Sequence, residues 1–292
     1  MASQRREGTP PPAVVAGEAA AAHAEVSGTT EPADPRSAAF FDIDNTVVRG
    51  ASIYHLARGL ASRHFFTTRD VATFAWQQVK FRVQGSEDMD DMSSAVDNAL
   101  AFVAGHEVDE INALGEEIFD ERIADRLYAG TVALAAAHLD AGRRVWLVSA
   151  APIELATIIA RRLGLTGALG TVSEIRDGVY TGRLCGAPLH GPAKAEAVRA
   201  LAEREGLLLS RCWAYSDSVN DVPLLSLVEH PVAINPDRAL RHHARAMGWS
   251  VHDYRTGRKA AKVGVPSALA LGVAAGVVGG IVVDHRRRTA HG

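Results

Sequence analysis

The 292-residue sequence has two cysteines, Cys185 and Cys212, too few for a disulfide framework. They read as ordinary core thiols of a reducing compartment. Charge of neither sign is in excess: 31 Lys and Arg stand against 34 Asp and Glu, a formal net of −3. So close a balance gives no field for holding a polyphosphate backbone and argues against nucleic acid as a partner. The 12 histidines are scattered, and His242-His243 lacks zinc-ligand spacing. Large apolar side chains are nearly missing from residues 1–37, where Ala, Pro, Gly, Glu and Thr dominate. Such a segment buries too little surface to offset its ordering entropy, so a disordered arm is expected there. Arg5 and Arg6 run into Glu7, Thr9 and three prolines without a continuous apolar stretch, which does not read as a signal peptide. The remainder has a globular composition, 47% hydrophobic and 22% charged.

From Ser37 onward the pattern changes. Ala38-Ala39-Phe40-Phe41 is a short apolar run that stops at Asp42, as a buried parallel strand would. Val145 to Val148 stops at Ser149, Cys212 to Tyr215 at Ser216-Asp217, and Val232 to Ile234 at Asn235-Pro236. Helical patterns over Ile153 to Leu163, Ala193 to Glu205 and Asp237 to Met247 separate these runs. Strands alternating with helices predict an α/β fold, a Rossmann-like parallel sheet covered on both faces. In such sheets functional residues gather past the carboxyl ends of the strands.

The first two strands are about 100 residues apart, far more than a crossover helix needs. Helical periodicity over much of that stretch, with Phe65, Phe66, Phe74, Trp76 and Phe81 as apolar bulk, predicts an inserted helical cap at 51–130. The core then comprises 38–50 and 131–254. Within it Glu174 to Gly182 reads as a hairpin turning at Asp177-Gly178.

Residues 263–283 carry no formal charge and are flanked by Lys259, Lys262 and Arg286-Arg287-Arg288. That length matches the roughly 20 residues of a membrane-spanning helix. A single-pass C-terminal anchor with the catalytic domain in the cytoplasm is therefore expected. Gly272, Gly276 and Gly280 fall on one helical face and suit pairing of two copies as a homodimer.

The chemistry sits at the strand ends. Asp42 and Asp44, one residue apart after a buried strand, suit a division between attack on phosphorus and proton transfer. Ser149 offers a hydroxyl to a phosphate oxygen, and Lys194, opening a helix after Gly191-Pro192, offers a cation. Asp217 and Asp221 add carboxylates in a strand-to-helix loop, an oxygen-rich set suited to Mg²⁺. Taken singly, each acid reads equally as a turn or helix cap.

Asp42-x-Asp44-x-Thr46, Ser149, Lys194 and Asp217-x-x-x-Asp221, in that order, resemble the four motifs of the haloacid dehalogenase-like phosphohydrolases. The insertion, together with Phe40 to Val48 and Ser149 to Pro152, is similar to the phosphoserine phosphatase-like subfamily IB. The resemblance implies Asp42 as nucleophile forming an aspartyl-phosphate and Asp44 as general acid and base. It further implies Lys194 as charge stabiliser, Ser149, Lys194 and Asn220 on phosphate oxygens, and Mg²⁺ held by Asp42, Asp44, Asp217 and Asp221. The implied substrate is a small or lipid-linked phosphomonoester. Phosphoserine phosphatases of the subfamily carry a Glu nine residues after the nucleophile, to read the substrate ammonium; this chain has Ala51 there. Phosphoserine hydrolysis and a membrane-anchored regulatory protein on the same scaffold are the alternative readings.

Overall fold

The computed structural model describes residues 10–26, 33–63, 65 and 103–255. Six parallel strands form the central sheet: β1 (Ala38–Phe41), β2 (Arg144–Pro152), β3 (Gly167–Thr171), β6 (Trp213–Ser216), β7 (His230–Ile234) and β8 (Ser250–His252). Their order across the sheet is β3-β2-β1-β6-β7-β8. All four residues of β1 are buried, which is why its sequence is continuously apolar rather than alternating. Phe40 sits in register with Trp146 on one side and Ala214 on the other. From β1 the chain proceeds outward through β2 and β3, and later outward on the other side through β6, β7 and β8. Strand order therefore reverses beside β1, the place where open α/β sheets leave a crevice for ligands.

The four expected strands are present with shifted bounds: β2 runs through Ser149 to Pro152 before helix Ile153–Arg162 begins, β6 is displaced by one residue to end at Ser216, and β7 starts two residues early at His230. β3 and β8 carry no clear strand pattern, one being Gly-Ala-Leu-Gly-Thr and the other three residues long. The hairpin forms as expected from β4 (Ser173–Arg176) and β5 (Val179–Leu184). Asp177 and Gly178 both take positive φ, 51° and 78°, as a type I′ turn requires.

The N-terminal arm departs from expectation. Pro12–His23 is a helix, α1, packed against the helix Pro192–Glu205. Alanine favours helix, and small side chains allow two backbones to approach closely. At Gly17 an added Cβ would stand 2.7 Å from Ala197 N and from Glu196 Cβ. The Arg204 guanidinium donates to the carbonyls of Ala21 and Ala24 at the end of α1. Leu208 N donates to Arg36 O at 2.8 Å, and Arg211 pairs with Asp34 at 2.7 Å. An arm disordered throughout 1–37 is therefore corrected for 12–23 and 33–37.

The described part of the insertion is helical. Ser52–Ser62 (α2) packs on Val108–Ile118, and Gly59 lies so close to Ile118 that a Cβ there would be 2.5 Å from its Cγ1. The entering and leaving segments are joined through backbone bonds, Arg49 N to Arg126 O and Tyr128 N to Val47 O, both 2.8 Å. Phe65 packs against His106 with ring centroids 4.1 Å apart and the planes tilted by 35°; Phe66, Phe74, Trp76 and Phe81 lie outside the described residues. So does the expected span 263–283 with its glycine face. Among the described residues no helix is long and apolar enough to cross a membrane.

Candidate active site

Asp42 follows β1 directly, and its backbone N donates to Tyr215 O at 2.9 Å, continuing the ladder with β6. The chain then turns tightly: Val47 N and Val48 N both donate to Ile43 O, at 2.9 and 2.8 Å, while Asn45 takes φ 57°. This turn carries Asp44 back toward the cap, where its Oδ1 accepts from Ser52 N at 2.8 Å. Ala51, the residue before α2, provides no side-chain cap, so Asp44 performs that role from eight residues upstream.

Lys194 lies in the first turn of its helix, which starts at Pro192 directly after Gly191 at φ 53°. Its ammonium lies 2.6 Å from Asp42 Oδ1 and 2.8 Å from Asp221 Oδ2. Asp221 Oδ2 also accepts from Ser216 Oγ at 2.7 Å. Asp42, Lys194 and Asp221 are 4%, 4% and 1% exposed, so this cluster is screened from water. Asp217 is half-buried beside it, and Asn220 is on the exposed side of the same loop. Ser149 is buried within β2, where its Oγ accepts from Ala151 N at 3.1 Å. It is a strand residue there and not the cap of the next helix.

The charges do not balance. Burial raises the Asp42 pKa, Lys194 opposes the rise, and Asp221, Asp44 and Asp217 add to it. Burial and Asp221 likewise push Asp217 up to about 7. Burial works against the Lys194 ammonium, but Asp42 and Asp221 outweigh it and hold its pKa above the ordinary value. Acidic side chains thus outnumber the one cation among them, leaving a deficit of positive charge in a water-poor pocket.

Ordered in this way, the residues carry the pattern of one family. The model of the haloacid dehalogenase-like hydrolases matches residues 39–226. This chain belongs to that family. It is 58% identical over 257 residues to phosphoserine phosphatase SerB1 of Mycobacterium tuberculosis, covering 88% of this chain and 83% of that one. It is 30% identical over 224 residues to a histidinol-phosphatase of Neisseria meningitidis, covering 75% of this chain and all of the other. Among solved structures, a Bordetella pertussis protein of unknown function superposes with TM-score 0.68 at 34% identity, covering 75% of this chain and 99% of that one. A phosphoserine phosphatase bearing a phospho-aspartyl intermediate analogue shares the fold of the family member, with TM-score 0.51, 20% identity and 77% and 97% coverage.

The site suits a hard divalent cation. Its donors are carboxylate oxygens, and its charge deficit is of the right sign. Among the described residues no three acidic, His or Cys side chains converge into a complete cage. That is what Mg²⁺ tolerates, since it binds one or two carboxylates and keeps waters or takes phosphate oxygens. Asp42 and Asp217 would hold it, with the Asp44 backbone carbonyl; Asp221 is engaged by Lys194 and Ser216.

Two further residues, which the sequence does not distinguish, contribute to the site. Ser216 fixes Asp221, and Asp237 accepts from Val219 N in the 217–221 loop at 2.9 Å. Ser216 was signalled by ending an apolar run, but nothing in the sequence tells its hydroxyl from any other at a strand end.

Proposed function

We propose that the chain is a Mg²⁺-dependent phosphomonoesterase that works through an aspartyl-phosphate on Asp42. The observation that carries this reading is the buried Lys194 ammonium held between Asp42 and Asp221 at 2.6 and 2.8 Å. It fixes a carboxylate at the end of β1 and keeps a positive charge where a phosphate dianion would arrive. Asp42 Oδ attacks phosphorus, the bond to the ester oxygen breaks, and Asp44 delivers a proton to the departing alkoxide. Asp44 then takes a proton from the water that attacks the phosphorus of the acyl phosphate, and phosphate leaves. Mg²⁺, when bound, offsets the negative charge that otherwise repels the dianion. Ser149, from within β2, and Asn220, from the loop after β6, would meet the non-bridging oxygens. Asp44 sits on the cap-entry turn, so the proton donor and the cap share one piece of backbone.

The substrate is a small phosphate ester. Phosphoserine is a second reading, favoured by the name of the 58% identical relative. Ala51 bears against it, because a methyl group cannot pair with an ammonium. A lipid-linked ester and a C-terminal membrane anchor rest on the uncharged run 263–283 alone. The test is Mg²⁺-dependent phosphate release from a panel holding phosphoserine, histidinol phosphate and a lysophosphatidate, for wild type and Asp42→Asn. Release by wild type that is lost in the variant supports the reading, and an inactive, folded, Mg²⁺-binding wild type overturns it.

A further inference from the structure

The loop that ends β7 touches both catalytic loops. Asn235 is buried, 1% exposed, with φ 49°. Its Nδ2 donates to Asn45 O at 2.9 Å, reaching the turn that follows Asp44. Asn45 in turn accepts from Gly50 N through Oδ1 at 3.0 Å, so that turn is fixed at both ends. Two residues on, Asp237 bonds to both the catalytic loop and the next helix. Its backbone N donates to Asp217 O at 2.8 Å, its Oδ2 accepts from Val219 N at 2.9 Å, and its Oδ1 accepts from Leu240 N at 2.6 Å. The last of these caps the helix Arg238–Met247. Asp237 thus fastens the loop bearing Asp217 and Asp221 to a helix that takes no part in the chemistry.

A helix cap alone would need one oxygen, and a strand end alone would need neither side chain. The three residues Asn235, Pro236 and Asp237 instead bind two loops, the one that follows β1 and the one that follows its neighbour β6, at the edge where strand order reverses. We infer that this segment is a brace, in which Asn235 and Asp237 are positioning residues that hold the Asp44 turn and the Asp217 loop in register for one shared cation. This rests on the phosphomonoesterase reading above. Asp237 carries like charge to Asp217 and so acts on it through geometry and not through attraction. Loosening the brace separates the two halves of the cation site without removing a ligand, and outer partners of that kind change metal affinity by about 10- to 100-fold.

Two variants separate the brace from a merely structural role. Asp237→Ser keeps a good helix cap for Leu240 N but is too short to hold Val219 N as well. Asn235→Gly keeps the left-handed backbone and removes only the amide. Full-length wild type and both variants are titrated with MgCl₂ by calorimetry, followed by amide exchange, and assayed on p-nitrophenyl phosphate over a range of Mg²⁺. Asp237→Ser is expected to weaken Mg²⁺ binding by about tenfold, to raise the half-saturating Mg²⁺ by the same factor, and to regain most activity at saturation. Its Val219 amide exchanges faster while that of Leu240 stays protected. Asn235→Gly is expected to lower kcat by roughly tenfold even at saturating Mg²⁺, because the Asp44 turn is loosened. Unchanged Mg²⁺ affinity in folded Asp237→Ser, or unchanged kcat in Asn235→Gly, overturns the brace. Loss of Leu240 protection together with a general loss of folding also overturns it, since Asp237 would then serve only as a cap. A wild type that binds no Mg²⁺ instead overturns the reading beneath it.

Discussion

Two buried polar clusters lie one residue apart on the same two strands, and they treat charge in opposite ways. Phe41 and Tyr215 stack with ring centroids 4.1 Å apart, and the Tyr215 hydroxyl shares a hydrogen bond of 2.7 Å with His138 Nε2. Burial and Arg143 lower the His138 pKa to about 4, so the imidazole is neutral at pH 7. The Arg143 guanidinium stays at the edge, over the Trp213 ring at 4.3 Å. The next residues along, Asp42 and Ser216, belong to the cluster with Lys194, where acids outnumber the cation. Identical strand geometry and similar burial thus give a neutral pair on one side and an unresolved charge on the other. A buried group serving packing is neutralised, and one left charged without full compensation marks the place where a ligand completes the site.

The strongest test of that contrast removes the nucleophile. Asp42→Asn is expected to cut phosphate release by about 10⁴-fold or more while leaving the fold intact, because the amide also relieves the charge excess. Unchanged turnover in a stopped assay would remove Asp42 from the reaction. Lys194→Met is expected to cost roughly 10²- to 10³-fold in kcat. It also leaves Asp42 and Asp221 buried without their cation, so thermal unfolding should move to a lower temperature, and more so at pH 8 than at pH 5. A Met variant as stable as wild type at both pH values would break the assignment of Lys194 as the compensating charge.

The clusters also tilt stability with pH in opposite directions. Asp217 has its folded pKa raised from 3.8 to about 7. Between those values the folded, metal-free protein binds more protons than the unfolded chain, so stability falls as pH rises from about 4 to 7. Mg²⁺ should reverse this loss, because it binds the ionised carboxylate. Chemical denaturation at pH 5 and pH 7.5, with EDTA and with excess Mg²⁺, reads the effect. Expected is a loss of a few kcal/mol with EDTA and a rise with Mg²⁺. The same fall in both solutions would exclude Asp217 from the cation site.

Much of this arrangement is legible in the sequence, and the unread parts share a cause. Strands β1, β2, β6 and β7 announce themselves because strands buried on both faces must be apolar throughout, and their polar ends mark the catalytic edge. The same rule misses β3, whose glycines let it lie against the loop after α1: a Cβ at Gly167 would stand 2.4 Å from Glu25 O. It misses α1 as well, since an alanine helix docked through Gly17 has no large apolar face to betray it. Lys194 was legible by its order among the motifs, but its burial between two acids depends on the 27 residues separating it from Asp221 closing back over the sheet. Asp237 is hidden for a different reason: every bond it makes is to backbone, and backbone partners leave no trace in residue identity.

The smallest effect sharpens the neutral side. His138 has its folded pKa lowered from 6.5 to about 4. Below pH 6.5 the unfolded chain takes up a proton that the folded state refuses, so stability falls as pH drops toward 4. In the same interval falling pH favours the fold through Asp217, and wild type shows the sum of two opposed slopes. His138→Gln removes one of them while keeping a side chain that reaches Tyr215 OH. Relative to wild type it should recover about 2 kcal/mol on going from pH 6.5 to 4, with phosphate release at pH 7.5 unchanged. Because β1 and β6 carry both clusters, an equal change in turnover would mean that the Tyr215 face transmits its packing to Asp42. Unchanged turnover with a flattened acid limb would mean that alternation along a strand suffices to insulate them.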